Sequence, residues 1–229
     1  MYKRIIVKIG TGVLSKDNEY IDESALKSIV EQIALLKKNG LEVILITSGA
    51  VNVGRSLLTV KNEIETVADK QVFAAVGQVK LMGAYARLFE RKNHLCAQIL
   101  VTKEDFRDHG HYHNMHRCFL NLLRDDVIPI VNENDVIAIK ELVFTDNDEL
   151  AGLIATQLQA DAVIILTSVE GVLDHSPSDP SAKIIPEIDF KNISKFQKLI
   201  TQEKMNVGRG GMMTKFTVAK KLVASGVAV

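Results

Sequence analysis

The chain has 229 residues, 47% of them hydrophobic, with 28 Lys and Arg balanced by 28 Asp and Glu. That length suits one large α/β domain with a sizeable core, and a formal net charge of zero gives no electrostatic reason to expect nucleic acid or an anionic membrane as partner. No apolar run is long enough to span a bilayer, Lys3 and Arg4 sit where a signal peptide would be apolar, and Cys96 and Cys118 stand outside any CxxC among apolar neighbours, which predicts buried thiols in a reducing, cytoplasmic setting.

Residues 2–8 read as a strand that ends in Lys8 and runs straight into Gly10-Thr11-Gly12. A helix follows Asp22, with Leu26, Ile29, Val30, Ile33 and Leu36 at helical spacing, and Asn39-Gly40 stops it. Residues 43–47 form a second strand, ending in Ser48-Gly49-Ala50, and a helix opens near Val51. Residues 61–70 read as a polar loop and 71–92 as a long helix. Then come a strand over 96–101, a charged loop over 104–113, a short helix over 114–123 and a strand over 127–131 that ends in Asn132-Glu133-Asn134-Asp135. Residues 136–144 alternate weakly, as a hairpin would; Thr145-Asp146-Asn147-Asp148 leads into a helix over 149–158. A strand over 162–166 ends in Thr167-Ser168, a proline-containing loop leads to a helix over 193–203, and a glycine-rich stretch precedes the last helix over 212–225. Residues 226–229 look like the start of a further strand. Short continuous apolar strands alternating with helices predict an open, mainly parallel α/β sheet flanked by helices on both faces.

Ligands of such sheets gather at the carboxyl ends of the strands. Lys8 belongs there, beside backbone N–H groups that glycine leaves uncovered, and the pair suits an anion, most simply a phosphate. Three glycine stretches compete for it. Gly10-Thr11-Gly12-Val13-Leu14-Ser15 is a near miss to the dinucleotide fingerprint, with Ser15 where the third glycine belongs. Gly49 to Ser56 has the context of a P-loop but Arg55 where the lysine belongs; it reads equally as a strand-to-helix turn that needs small residues for close packing. Gly208-Arg209-Gly210-Gly211-Met212-Met213-Thr214-Lys215 opens a helix with a lysine one turn in, which serves a phosphate or a hinge. The acidic residues Asp135, Asp146 and Asp148 can hold an ammonium group, orient lysines or meet Mg²⁺ through water; Asp146 or Asn147 serves equally as a helix cap. His109, His111, His113 and His116 crowd what reads as a solvated loop rather than a metal site, and no metal-ligand set is expected.

With these residues in hand, the chain resembles the glutamate 5-kinase branch of the amino acid kinase family. The resemblance rests on Val7-Lys8-Ile9-Gly10-Thr11, Ile46-Thr47-Ser48-Gly49-Ala50 with Gly54-Arg55, Lys70-Gln71 with Ala74-Ala75-Val76-Gly77-Gln78, Pro129 to Asp135, Asp146-Asn147-Asp148, and Gly210-Gly211-Met212 with Thr214-Lys215. It implies an αβα sandwich and the ATP- and Mg²⁺-dependent phosphorylation of the side-chain carboxylate of L-glutamate, the first step of proline synthesis. By that similarity Lys8 and Lys215 neutralise the phosphoryl group in flight and Asp148 holds them. Ser48, Gly49, Ala50, Asn132, Asp135 and Asn147 bind glutamate, and Lys8, Gly10, Thr167, Ser168 and Arg209 to Lys215 (with Gly210, Gly211, Met212, Met213 and Thr214) line the ATP site. Proline inhibition, a homodimer or homotetramer and the next enzyme of the pathway as partner are expectations of the same kind. The chain departs from the family pattern on the nucleotide side, with Ser168 for an Asp, Val172-Leu173 where an aromatic residue is common, and Arg209 for a Thr. The resemblance implies one kinase domain over 1–229 that breaks off before its last strand and helix and has no PUA domain. The rival expectations are an acetylglutamate or aspartate kinase of the same fold, and a non-catalytic amino-acid sensor, which should lack one of Lys8, Lys215 and Asp148.

Overall fold

The computed structural model describes residues 2–16, 20–58, 66–137, 146–175, 179, 181–189 and 212–229. In chain order the elements are β1 (Arg4–Ile9), α1 (Thr11–Leu14), β2 (Ser15–Lys16), β3 (Tyr20–Ile21), α2 (Glu23–Lys38), β4 (Glu42–Ile46), α3 (Ala50–Leu57), α4 (Val67–Glu90) and β5 (Cys96–Val101). A single 3-10 turn (Lys103–Phe106) follows, then α5 (His109–Arg124), β6 (Ile128–Glu133), α6 (Asn147–Gln157), β7 (Ala162–Leu166) and α7 (Met212–Ala224).

Five strands form one parallel sheet in the order β5-β6-β4-β1-β7, so the first strand of the chain lies inside the sheet. Alternation along each strand sorts side chains to the two faces. Ile5, Val7 and Ile9 of β1 join Val43, Leu45, Ile128 and Ile130 under α2 and α4, where Leu26, Ile33, Leu81, Tyr85 and Phe89 are buried. Ile6, Ile44, Ile46 and Val131 meet α5, α6 and α7 on the other face, through Phe119, Leu150, Ile154, Val218 and Leu222. The fold is therefore the expected α/β sheet with helices on both faces. Beyond β7, Ala228 makes a parallel bridge to Ala162, donating to the Asp161 carbonyl at 3.0 Å and accepting from the Val163 N–H at 2.8 Å. Among the described residues no helix is long and apolar enough to cross a membrane.

The register fixes where the carboxyl edge falls. Lys8 lies opposite Ile46 of β4 and Ile165 of β7, and Ile46 opposite Val131 of β6. Just past that row come Thr47-Ser48, Asn132 and Thr167-Ser168, with α1 and α3 opening at the same edge.

Several boundaries differ from expectation, each for a local reason. The charged loop over 104–113 is helical for much of its length: Asp108 caps α5 by accepting from the His111 N–H at 2.7 Å, so His109, His111, His113 and His116 lie on a helix. Among the described residues no three His, Cys, Asp or Glu side chains gather as a metal set. α4 starts four residues earlier than its apolar pattern, because Thr66 and Asp69 form a capping box. α6 starts two residues early under the Asp146 cap. Cys118 is exposed on α5 and Cys96 half-buried, against the expectation of two buried thiols; Cys118 falls on the outer face of an amphipathic helix whose inner face carries Phe119 and Leu123. The helix expected over 193–203, the glycine stretch over 206–211 and most of the hairpin expected over 136–144 lie outside the described residues; Val136 and Ile137 are in an exposed turn.

α3 sits on α4 at backbone contact. A Cβ on Gly54 would stand 1.9 Å from the Phe73 carbonyl oxygen, and one on Gly77 would stand 1.8 Å from the Ala50 carbonyl oxygen. The glycine of the near-P-loop is thus a packing glycine, and Arg55 reaches over the Phe73 ring, 5.9 Å from its centroid. This crossing holds Ser48-Gly49-Ala50 against the edge of the sheet, with Gly49 at φ 96° as the turn into α3.

Candidate active site

Two faces of β1 decide the first half of the site. Ile6 faces α6, and Lys8, two residues on, faces the same way at the end of the strand. Asp146 Oδ1 accepts from the backbone N–H groups of Asp148 at 2.9 Å and Glu149 at 3.2 Å, which starts α6 and puts Asp148 in its first turn over the sheet. Asp148 is fully buried, and its two oxygens meet two lysines: Lys8 Nζ at 2.6 Å from Oδ1 and Lys215 Nζ, from the first turn of α7, at 2.8 Å from Oδ2. Burial alone would push the Asp148 carboxyl up, but the Lys215 and Lys8 ammoniums outweigh it and hold the group below the ordinary carboxylate range. One carboxylate thus faces two ammonium groups at the carboxyl edge of the sheet. Burial, and then the charge of Asp148, raise the neighbouring Asp146, whose buried Oδ2 makes no hydrogen bond among the described residues.

Glycines flank Lys8 at this edge. Gly10 donates its N–H to the Leu166 carbonyl at 3.2 Å, tying the turn after β1 to the end of β7. A Cβ there would meet that carbonyl at 3.3 Å and stand 3.9 Å from Lys8 Nζ, so the glycine lets the turn pass close to the buried ammonium. Gly12 lies against Ser168, whose Cβ is 3.7 Å from where its own would be, and Thr11 Cγ2 lies 3.9 Å from the corresponding point on Gly49. The first and second glycine stretches therefore meet each other and the end of β7. The near miss to the dinucleotide fingerprint opens only the single helical turn α1, closed by the Val13 N–H on the Gly10 carbonyl at 3.0 Å. Met212, Met213 and Thr214 occupy the first turn of α7, half-buried, and Phe216 packs with Val172, Ile188, Met212 and Met213. Arg209, Gly210 and Gly211 lie outside the described residues.

The second half of the site is built from amides. Asn147 Nδ2 donates to Ser48 Oγ at 2.8 Å, to Asn132 Oδ1 at 3.1 Å and to the Thr47 carbonyl. Ser48 just past β4, Asn132 on β6 and Asn147 on α6 are thus joined into one cluster, with Gly49 and Ala50 beside it. Asp135 stands three residues past Asn132, half-buried, and burial pushes its carboxyl up to about 6. Sequence reasoning missed two residues of α4 behind this cluster. Gln78 Oε1 accepts from Asn132 Nδ2 at 2.9 Å, and the fully buried Tyr85 hydroxyl pairs with Thr47 Oγ1 at 3.0 Å. The available signal was polarity inside a helix's apolar stripe: Gln78 and Tyr85 are seven positions apart, on one face with Leu81.

A family profile, the Amino acid kinase family, matches residues 3–229. Among curated proteins, the Glutamate 5-kinase of Chlorobaculum tepidum is 48% identical over 230 residues, covering 100% of this chain and 63% of that protein. The Glutamate 5-kinase of Bacteroides thetaiotaomicron is 44% identical over 229 residues, again covering 100% of this chain and 63% of the relative. That of Thermoanaerobacter pseudethanolicus is 40% identical, with 98% of this chain and 60% of the relative covered. The chain therefore spans under two thirds of the length of these relatives.

Proposed function

The chain belongs to the amino acid kinase family, and from that premise we propose that it transfers the terminal phosphoryl group of ATP to the side-chain carboxylate of L-glutamate, giving an acyl phosphate and ADP. The observation that carries the reading is the buried carboxylate of Asp148 between Lys8 and Lys215 at the carboxyl edge of the sheet. The named relatives support the choice of glutamate.

A glutamate side chain titrates near about 4.3, so at neutral pH it attacks as an anion and no general base is required. The new bond joins a carboxylate oxygen to the γ-phosphorus as the bond to the bridging oxygen breaks. What the protein must supply is position and positive charge. Lys8 and Lys215 supply the charge, and Asp148 fixes both ammonium groups without cancelling them. Gly10 leaves room for phosphate oxygens beside Lys8. Gly12, Thr167, Ser168 and the first turn of α7 would flank the nucleotide, with Arg209, Gly210 and Gly211 assigned to the same side. Mg²⁺, carried on the phosphate oxygens, would share the neutralisation of charge. Ser48, Asn132 and Asn147 would hold the amino-acid end of glutamate, with Gly49 and Ala50 against it and Asp135 facing the ammonium. Proline sensitivity and self-association belong to the same reading.

The test is ADP release with Mg²⁺ and glutamate, acetylglutamate or aspartate, with and without proline. Glutamate-dependent release is expected; release that follows acetylglutamate or aspartate instead, or no release with any of them, would sink the assignment.

Asp135 adds a pH dependence with a defined sign. Its carboxyl is raised to about 6 in the free chain, so below that pH it is protonated and must lose a proton before it can pair with an ammonium group. Glutamate KM should therefore climb as pH falls through about 6, approaching tenfold per pH unit. The same shift makes the folded chain gain stability at this group as pH falls from about 6 toward the ordinary Asp value, about 3.9. Initial rates between about pH 5 and about pH 8 read the first effect. An Asp135→Asn variant should flatten it, and an equally steep rise in that variant would remove Asp135 from the ammonium site.

A further inference from the structure

Gln78 stands on α4 behind the amide cluster, 8% exposed, and both ends of its amide are engaged. Burying an amide is costly unless its hydrogen bonds are made. Here they are made in one direction only. The backbone N–H of Glu133 can only donate, and it donates to Asn132 Oδ1 at 2.9 Å. Asn132 Nδ2 must then face the other way, where it meets Gln78 Oε1 at 2.9 Å. That leaves Gln78 Nε2 to donate to Gln98 Oε1, on the edge strand β5, at 3.2 Å.

The polarity propagates toward the cleft as well. Asn132 Oδ1 also accepts from Asn147 Nδ2, and that nitrogen is further committed to Ser48 Oγ and the Thr47 carbonyl. With Nδ2 held inward, the planar amide of Asn147 turns Oδ1 away from these three partners, as an acceptor. Ser48, whose Oγ accepts from Asn147, keeps its own proton to donate. An acceptor beside a donor complements an ammonium and a carboxylate carried on one carbon.

We propose that Gln78 is a positioning residue for the α-amino-acid end of the substrate: its Oε1 holds the Asn132 amide in the orientation that aims Asn147 and, through it, Ser48. This rests on the glutamate-kinase reading of the same site. Gln78 does not touch substrate. It acts through Asn132, which is 3% exposed and whose Nδ2 would be left buried without its acceptor. Freed from Gln78, the Asn132 side chain turns to find another acceptor and abandons Asn147.

The test compares Gln78→Leu, which removes both polar ends at similar volume, with Gln78→Glu, which keeps the oxygen that accepts from Asn132 and lets Gln98 turn its amide to donate. In the full-length protein, Gln78→Leu is expected to raise glutamate KM about tenfold or more, with kcat and ATP KM within about threefold of the parent, and Gln78→Glu to recover most of the loss. An unchanged glutamate KM in Gln78→Leu would overturn the proposal. So would a loss spread evenly over kcat and both KM values that Gln78→Glu fails to recover, since a merely structural residue behaves that way. The parent is assayed alongside. If it shows no glutamate-dependent turnover, the assignment of the reaction falls by itself, and the relay is judged by hydrogen exchange of the Asn132 and Asn147 side-chain NH₂ groups. Protection in the parent that is lost in Gln78→Leu supports the relay, and identical exchange overturns it.

Discussion

Exchange of Lys8 for alanine is expected to lower kcat by about 10³-fold or more while the chain still folds. The size follows from what Lys8 does in the proposed transfer. It is one of two ammonium groups on a buried carboxylate, and it is the more buried one, at the end of a central strand beside Gly10. A second effect comes with the first. Asp148 Oδ1 loses its partner and the carboxylate keeps only Lys215, a change that in buried pairs costs about 3–5 kcal/mol. Domains carry about 5–15 kcal/mol in total, so the variant remains folded but melts earlier. Its Asp148 must then titrate higher, because burial still opposes the charge while one of the two compensating ammonium groups has gone. Adding Asp148→Asn to Lys8→Ala should restore melting temperature without restoring turnover. Lys8→Arg should restore less turnover than its charge suggests, because a planar fork does not reproduce the 2.6 Å contact of an ammonium with the fully buried Asp148 oxygen. Glutamate-dependent ADP release and a far-UV melt read both effects, and near-normal turnover in Lys8→Ala would remove Lys8 from the proposed mechanism.

The second large effect is steric. Gly77→Ala should cost about 3 kcal/mol or more and, in the proposed reaction, take most of the turnover with it. The new Cβ would lie 1.8 Å from the Ala50 carbonyl oxygen and 2.5 Å from the Gly54 nitrogen, and both of these are backbone atoms with no rotamer to yield. α3 must lift off α4, and it carries Ser48-Gly49-Ala50 away from Asn147 as it goes. For a chain of this size the melting point should fall by roughly 6–12 °C. Gly83→Ala is the control on the same helix. Its Cβ would meet only the Arg87 Nη1 atom, at 3.7 Å, the tip of a flexible side chain, so better helix propensity should leave that variant neutral or stabilised by about 0.5–1 kcal/mol. A Gly77→Ala chain melting within about 2 °C of the parent would show that the two helices tolerate a wider crossing than their glycines imply.

Some of this was legible in the sequence and some was not, for physical reasons. The strands were legible because burial on both faces demands continuous apolar runs, and α2 because Asp22 and Asn39-Gly40 mark its ends with the residues that caps and left-handed turns require. Lys8 was legible as well: a lysine that closes a buried strand beside glycines has few places to go but the ligand edge. The start of α5 was hidden because its first turns are histidine, glycine and tyrosine, with no apolar stripe until Met115, and only the cap at Asp108 signals it. The order of strands was hidden because pairing partners are chosen by the crossover paths of the chain. Gln78 was hidden in its role, though visible as part of a motif, because its meaning lies in a hydrogen bond to a residue 54 positions away. A side-chain relay is a property of the packed molecule, and no local pattern encodes its direction.

The placement of β1 inside the sheet has a kinetic side. β1 is flanked by β4 and β7, and the backbone N–H of Arg4 is held by Asp161, 157 positions later. Lys215 and Asp148 are separated by a further 67 positions. Such contacts have high contact order, and closing long loops before any reward is earned makes assembly slow. Lys8 therefore meets Asp148 only once α6 has packed over β1. The pairing of Asp148 with both lysines is complete only when α7 has docked as well, so the charge cluster on which the proposed transfer depends reports long-range closure rather than local structure.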